Sequence, residues 1–134
     1  MIYLLDTNAV ADYLNGIEPT VSRIKRALLD ESVIYLSQPV DFEVVRGLLK
    51  IKSIRKLSVF EDEFAPQLDW LGLTDADWRQ AAHFWVDAVS RGKQLSDMDL
   101  LLAALAVRVN GVIISDDGDF DALPVKRENW RISP

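Results

Sequence analysis

At 134 residues, 49% apolar and 27% charged, the chain has the size and composition of one globular domain that can bury a core. It has no cysteine and one histidine, His83, which excludes disulfide frameworks, cysteine nucleophiles and a multi-histidine zinc centre. No apolar run approaches the roughly 20 residues of a membrane span and the N-terminal run has no basic leader, so a soluble cytoplasmic protein is expected.

Ile2–Leu5 is an unbroken apolar run, as in a strand buried on both faces. It stops at Asp6, and Thr7-Asn8 opens a helix that Asn15-Gly16 ends. Pro19 then begins a helix to about Leu29, with Val21, Ile24, Ala27 and Leu28 as its stripe. Val33–Leu36 is a second strand. A helix over Pro39–Leu49 follows, with Phe42, Val45 and Leu49 on one stripe and Glu43 just over one turn in. Arg46, Lys50, Lys52, Arg55 and Lys56 make the next stretch the most basic, interleaved with Ile51, Ile54 and Leu57 as in an amphipathic helix.

Val59–Asp77 is acidic, with Leu68–Leu73 an edge strand or a connection. Thr74 to Asp77 has the spacing of a capping box, with Asp in place of Glu. The helix it opens, to about Arg91, carries Trp78, Ala82, Trp85 and Val89 at helical spacing, a stripe for the core or for an oligomer interface. His83 lies off that stripe. Ser96 caps a helix over Asp97–Val109 whose apolar content implies near-complete burial, and Asn110-Gly111 ends it. Val112–Ile114 is a third buried strand, followed by Ser115-Asp116-Asp117-Gly118-Asp119-Phe120. A last strand is expected near Trp130–Ile132.

Short apolar strands alternating with helices imply an α/β fold with a parallel sheet and right-handed crossovers. All strand C-termini then share one edge, where such sheets place their ligands. Asp6 and Asp117 follow strands. Glu43 lies near the start of a helix that leaves that edge. Asp97 and Asp99 begin the helix that feeds the Val112–Ile114 strand, so they start at the same edge. Each acid alone has an ordinary explanation: Asp6 as a helix cap, Glu43 as a solvated helix residue, Asp99 as the partner of Ser96, and Asp116 to Asp119 as a turn. Their joint placement is what points to a site.

Such a cluster repels itself unless cations neutralise it. With no histidine or cysteine at hand, Mg²⁺ or Mn²⁺ suits it far better than Zn²⁺. Two such ions would bring the formal charge of −6 to about −2, easing its conflict with a nucleic-acid partner. An all-carboxylate site of this kind suits phosphodiester hydrolysis by a metal-activated water. Two other readings remain open here. One is a phosphatase or phosphoacceptor on a similar sheet, although Asn8 stands where a dehalogenase-type site needs a second aspartate. The other is a non-catalytic module whose acids receive a basic partner.

At these residues the sequence resembles the PIN-domain ribonucleases, in particular the toxins of VapBC toxin–antitoxin pairs. Leu4-Leu5-Asp6-Thr7-Asn8 resembles the opening acid motif, and Ser37 to Gly47 the helix with the second acid, at Glu43. Asp99 to Ala104 resembles the third motif and Ser115 to Phe120 the fourth, with Asp117 at the matching acid. Val40, Val44 and Ser115 depart from the threonine, leucine and threonine common there. The resemblance covers nearly the whole chain. It implies a single PIN domain over 1–134, with a three-layer αβα fold and a mostly parallel sheet of four to five strands. It also implies a Mg²⁺- or Mn²⁺-dependent endoribonuclease toxin, homodimeric and silenced by an antitoxin tail in its groove. Asp6 and Asp99 would be the first metal ligands, with Glu43 and Asp117 supporting. Thr7, Asn8 and Ser115 would lie beside them, and Asp97, Asp116 and Asp119 are further candidates.

Overall fold

The structure, a computed structural model, describes residues 1–132. Its sheet has five parallel strands in the order β3-β2-β1-β4-β5. These are β1 (Ile2–Leu5), β2 (Val33–Ser37), β3 (Asp69–Leu71), β4 (Val112–Ile114) and β5 (Lys126–Glu128). Six α-helices flank it in a three-layer α/β arrangement: α1 (Thr7–Leu14), α2 (Thr20–Leu29), α3 (Gln38–Lys50), α4 (Ile54–Val59), α5 (Asp75–Ser90) and α6 (Asp97–Val109). Strands β1 to β3 advance in one direction from β1, and β4 and β5 lie on its other side. The order reverses between β1 and β4, which is where open α/β sheets form a ligand crevice.

The two strands flanking that crevice are the most apolar. Leu4, Leu5, Ile113 and Ile114 are all buried, and Leu5 pairs with Ile114, so both strands end level. Helix α6 is buried continuously from Leu100 to Ala106. It closes on Asn110 in the left-handed conformation and then on Gly111. A Cβ on Gly111 would stand 2.5 Å from Leu4 Cδ1 and 3.0 Å from Ile2 Cγ2. Leu4 is fully buried and has no room to yield. Gly111→Ala is therefore expected to cost about 1–2 kcal/mol, read as a lowered urea midpoint.

Apart from the last strand, the predicted strands and helices form, but several faces differ. On α3 the inward residues are Pro39, Val40, Val44 and Leu48, whereas Phe42 and Leu49 are exposed and Val45 half-buried. On α5 the stripe Trp78, Ala82, Trp85 and Val89 faces outward, and Asp77, Ala81, Phe84 and Ala88 face inward. Small alanines let α5 lie close on α6, and Asp77 fixes the rotation. Thr74 and Asp77 form the capping box, and the Arg108 guanidinium of α6 donates to both Asp77 oxygens at 3.0 and 3.1 Å. Burial pushes the Asp77 carboxyl up, but the Arg108 and Thr74 hydrogen bonds outweigh it and hold it below its ordinary value.

In helix α4 only Leu57 of the three interleaved apolar residues packs against the core, half-buried, whereas Ile54 is exposed and Ile51 lies exposed before the helix begins. The chain continues into a π-helical turn over Phe60–Phe64, whose two phenylalanines are fully buried. The last strand is Lys126–Glu128 in place of Trp130–Ile132. Its charged side chains suit an edge, and its backbone pairs with β4. Trp130 instead turns back, its ring edge-on to Tyr3 at 4.9 Å. Among the described residues no helix is long and apolar enough to cross a membrane.

Candidate active site

The crevice between β1 and β4 collects the acids. Asp6 follows β1 directly, and its backbone N–H still pairs with the Ile114 carbonyl at 2.9 Å. Its side chain is buried and held on every side. Oδ1 accepts the Thr7 N–H at 2.8 Å, and Oδ2 accepts the Ser115 hydroxyl at 2.7 Å and the Asn8 amide at 3.2 Å. Asp6 is thus the cap of α1 and part of the cluster at once.

Glu43, in the second turn of α3, reaches the same place, where its Oε1 accepts the Thr7 hydroxyl at 3.0 Å. Asp99 arrives on the first turn of α6, its backbone N–H donating to Ser96 Oγ at 3.2 Å. One carboxylate oxygen from each of Asp6, Glu43 and Asp99 lies within 4.8 Å of the other two. Among the described residues the sole cation paired with this trio is Arg46, which reaches Glu43 at 3.5 Å and is mostly exposed.

The electrostatics follow. Burial pushes the Asp6 carboxyl up against the pull of the Ser115 and Thr7 hydrogen bonds, and Glu43 and Asp117 push it further. Asp99 is pushed up to about 6, first by burial, then by the Asp6 charge, with Glu43 and Asp117 adding to it. Three crowded oxygen donors without nitrogen or sulfur, and two carboxyls shifted upward, are what a hard divalent cation would relieve. The donor set therefore fits Mg²⁺ or Mn²⁺.

Asp117 stands beside the trio, not within it. Its Oδ1 accepts the Asp119 N–H at 2.9 Å, and its own N–H donates to Ser115 Oγ at 3.0 Å. Ser115 also takes the Asn8 amide at 3.2 Å, so one hydroxyl links both strand ends. Asp119 is exposed, and Asp116 turns to Arg131. Asp97 lines a separate cavity of about 510 Å³ between α5 and α6, with Trp78 and Trp85. The arginines of the C-terminal segment were not foreseen. Arg127 and Arg131 sit 12 and 15 residues from their loop partners Ser115 and Asp116, with no motif to mark them. A groove of about 200 Å³ opens beside Thr7 and Glu43, walled by Ala11, Val44, Leu48 and Lys56.

The PIN domain family profile matches residues 3–126. A VapC ribonuclease of Mycobacterium bovis is 30% identical over 124 residues, 90% of this chain and 90% of its own. This chain is a PIN-domain protein of the VapC ribonuclease family. Ribonuclease VapC11 of Mycobacterium tuberculosis matches to the same extent. Among solved structures, the PIN fold here superposes on VapBC from Salmonella typhimurium bound to DNA with a TM-score of 0.84, at 20% identity over 97% of this chain and 98% of that one. VapBC2 from Rickettsia felis, bound to a DNA fragment from its promoter, gives 0.83 at 22% identity, covering 97% and 99%. VapC20 of Mycobacterium tuberculosis, a toxin that cleaves the sarcin–ricin loop, gives 0.70 at 18%, covering 92% and 95%.

Proposed function

We propose that this protein is a Mg²⁺- or Mn²⁺-dependent endoribonuclease acting as the toxin of a VapBC-type pair. The observation that carries the reading is the approach of Asp6, Glu43 and Asp99 to within 4.8 Å with so little counter-charge. These three would hold the cation, with Asp117 supporting from the side. A bound divalent ion supplies Lewis acidity toward the scissile phosphate and the attacking water.

The chain's own residues do the positioning. Ser115 and Asn8 fix the orientation of Asp6, and Thr7 fixes that of Glu43, so the donors stand ready without reorganisation. Both Asp6 oxygens are occupied by donors, an arrangement for a fixed anion and not for a phosphoacceptor nucleophile. Arg46, beside Glu43, and Lys56, in the adjoining groove, offer charge to the RNA backbone. The same groove is apolar enough for an antitoxin segment. The exposed Trp78 and Trp85 of α5 offer a surface for a second copy in a homodimer. The described residues, 1–132, make up one domain around this site, and its place of action on this reading is the cytoplasm.

The test is incubation of purified protein with single-stranded RNA in Mg²⁺, in Mn²⁺ and in EDTA. Internal cleavage is expected with either ion and none in chelator. Folded protein that cleaves equally well in EDTA, or with neither ion, would overturn the reading.

A further inference from the structure

Four carboxylates follow β4 within seven residues, at Asp116, Asp117, Asp119 and Asp121, yet the site has use for one. We propose that Arg131 and Arg127 are positioning residues that sort this loop, drawing Asp116 and Asp121 outward so that, with Asp119 exposed to solvent, Asp117 is the one presented to the metal centre. The inference rests on the metal-dependent reading of the site given above.

The contacts are specific. Arg131 grips Asp12 with two parallel bonds, Nε to Oδ2 at 2.7 Å and Nη2 to Oδ1 at 2.9 Å. Asp12 is buried in α1 and is also held by the Thr20 hydroxyl at 3.1 Å, so the grip has a rigid base. The third nitrogen of the same fork, Nη1, bonds Asp116. Arg131 thereby ties the acid loop to the helix whose cap is Asp6.

Arg127 works from β5. It holds Asp121 with Nε at 3.0 Å and Nη2 at 2.9 Å, and its Nη1 donates to the Ser115 carbonyl at 3.1 Å. Ser115 is the residue whose hydroxyl contacts Asp6 and receives the Asp117 N–H. The loop is therefore pinned at residue 115, at residue 116 and at residue 121, and Asp117 lies between the pins. Its charge bears on both Asp6 and Asp99. A lysine keeps the charge of such an arginine but cannot bond two carboxylates through one planar fork.

The experiment is a Mn²⁺ titration of the metal-free full chain, followed by the electron paramagnetic resonance of free Mn²⁺, with melting temperature measured in parallel. Arg131→Lys and Asp116→Glu conserve charge and disturb the fork. Each is expected to raise the Mn²⁺ Kd about tenfold, the effect typical of lost outer-shell support. Arg131→Gln is expected to weaken binding also, although it leaves the site one charge more negative. If the arginine acted by charge alone, Arg131→Gln would bind Mn²⁺ more tightly and Arg131→Lys would match wild type, and that result overturns the proposal. So does a lowered melting temperature with unchanged Mn²⁺ affinity, which would make Arg131 a tail anchor only. Asp116→Glu leaves the Arg131–Asp12 grip intact and decides the matter should the Arg131 variants fail to fold. Wild-type protein that binds no Mn²⁺ overturns the metal reading itself, and the sorting role falls with it.

Discussion

Asp99→Asn is expected to lower RNA cleavage by about 10³-fold or more at saturating Mn²⁺, a loss of about 4 kcal/mol of transition-state stabilisation. One of three converging oxygen donors would be lost, and a bound cation would be held by two carboxylates in place of three. The position is well suited to the test because Asp99 makes few structural bonds. Its backbone N–H caps on Ser96, and that bond survives the substitution. Asp6→Asn should be as inactive but is a less clean experiment. Asp6 accepts from Thr7, Asn8 and Ser115, and an asparagine amide would set its own donor against one of them. The Asp6 variant should therefore melt lower while the Asp99 variant does not. Cleavage of a labelled single-stranded RNA, with a circular-dichroism melt of each variant, distinguishes the two. An Asp99→Asn protein retaining a tenth of wild-type activity would remove Asp99 from the reacting centre.

The edge of the sheet was legible because its strands are short and apolar without a break. Val112–Ile114 is buried throughout and Ile2–Leu5 is buried at Leu4 and Leu5 and half-buried at Ile2 and Tyr3, and no charged residue interrupts either run before Asp6 and Ser115. Once both were placed in one parallel sheet, the start of α6 had to lie at the same edge, and Asp99 came with it. The rotation of the outer helices was another matter. Helix α3 carries two apolar stripes, Phe42/Val45/Leu49 and Val40/Val44/Leu48. What selects the second is tertiary, since Glu43 must face Thr7, which turns Phe42 outward beneath Arg46. Helix α5 repeats the lesson: its larger aromatics lie outside, because Asp77 and the alanines are what fit against α6. Strand β5 has no apolar alternation to read, being an edge strand of Lys126, Arg127 and Glu128 whose pairing is purely backbone. The Arg131–Asp12 bond spans 119 residues, and no local pattern encodes a contact at that range.

The stability of the metal-free protein should fall as pH rises from about 4 to about 7, and Mn²⁺ should restore it. Asp99 has its carboxyl raised from 3.8 to about 6 in the folded state, and Asp6 is raised in the same direction. Between those values the folded chain binds more protons than the unfolded chain, so stability declines as pH increases through the window. The full Asp99 shift would correspond to about 3 kcal/mol, and its half-exposed position reduces this to on the order of 1–2 kcal/mol. Asp77 and Asp121 act oppositely, being lowered by their arginines and nearby hydrogen bonds, but their contribution is lost only below their ordinary range, at more acid pH. The Asp99 contribution can be isolated by difference. Asp99→Asn, which cannot ionise, should be more stable than wild type at pH 7.5 without metal, and the gap should close below pH 4. Adding Mn²⁺ neutralises the cluster, so it should raise the melting temperature of wild type more than that of the variant. Urea unfolding of both proteins from pH 4 to pH 8, with and without Mn²⁺, measures each of these differences. A gap that is independent of pH, or an equal response of both proteins to Mn²⁺, would mean that the carboxylates do not strain against one another in the way their spacing requires.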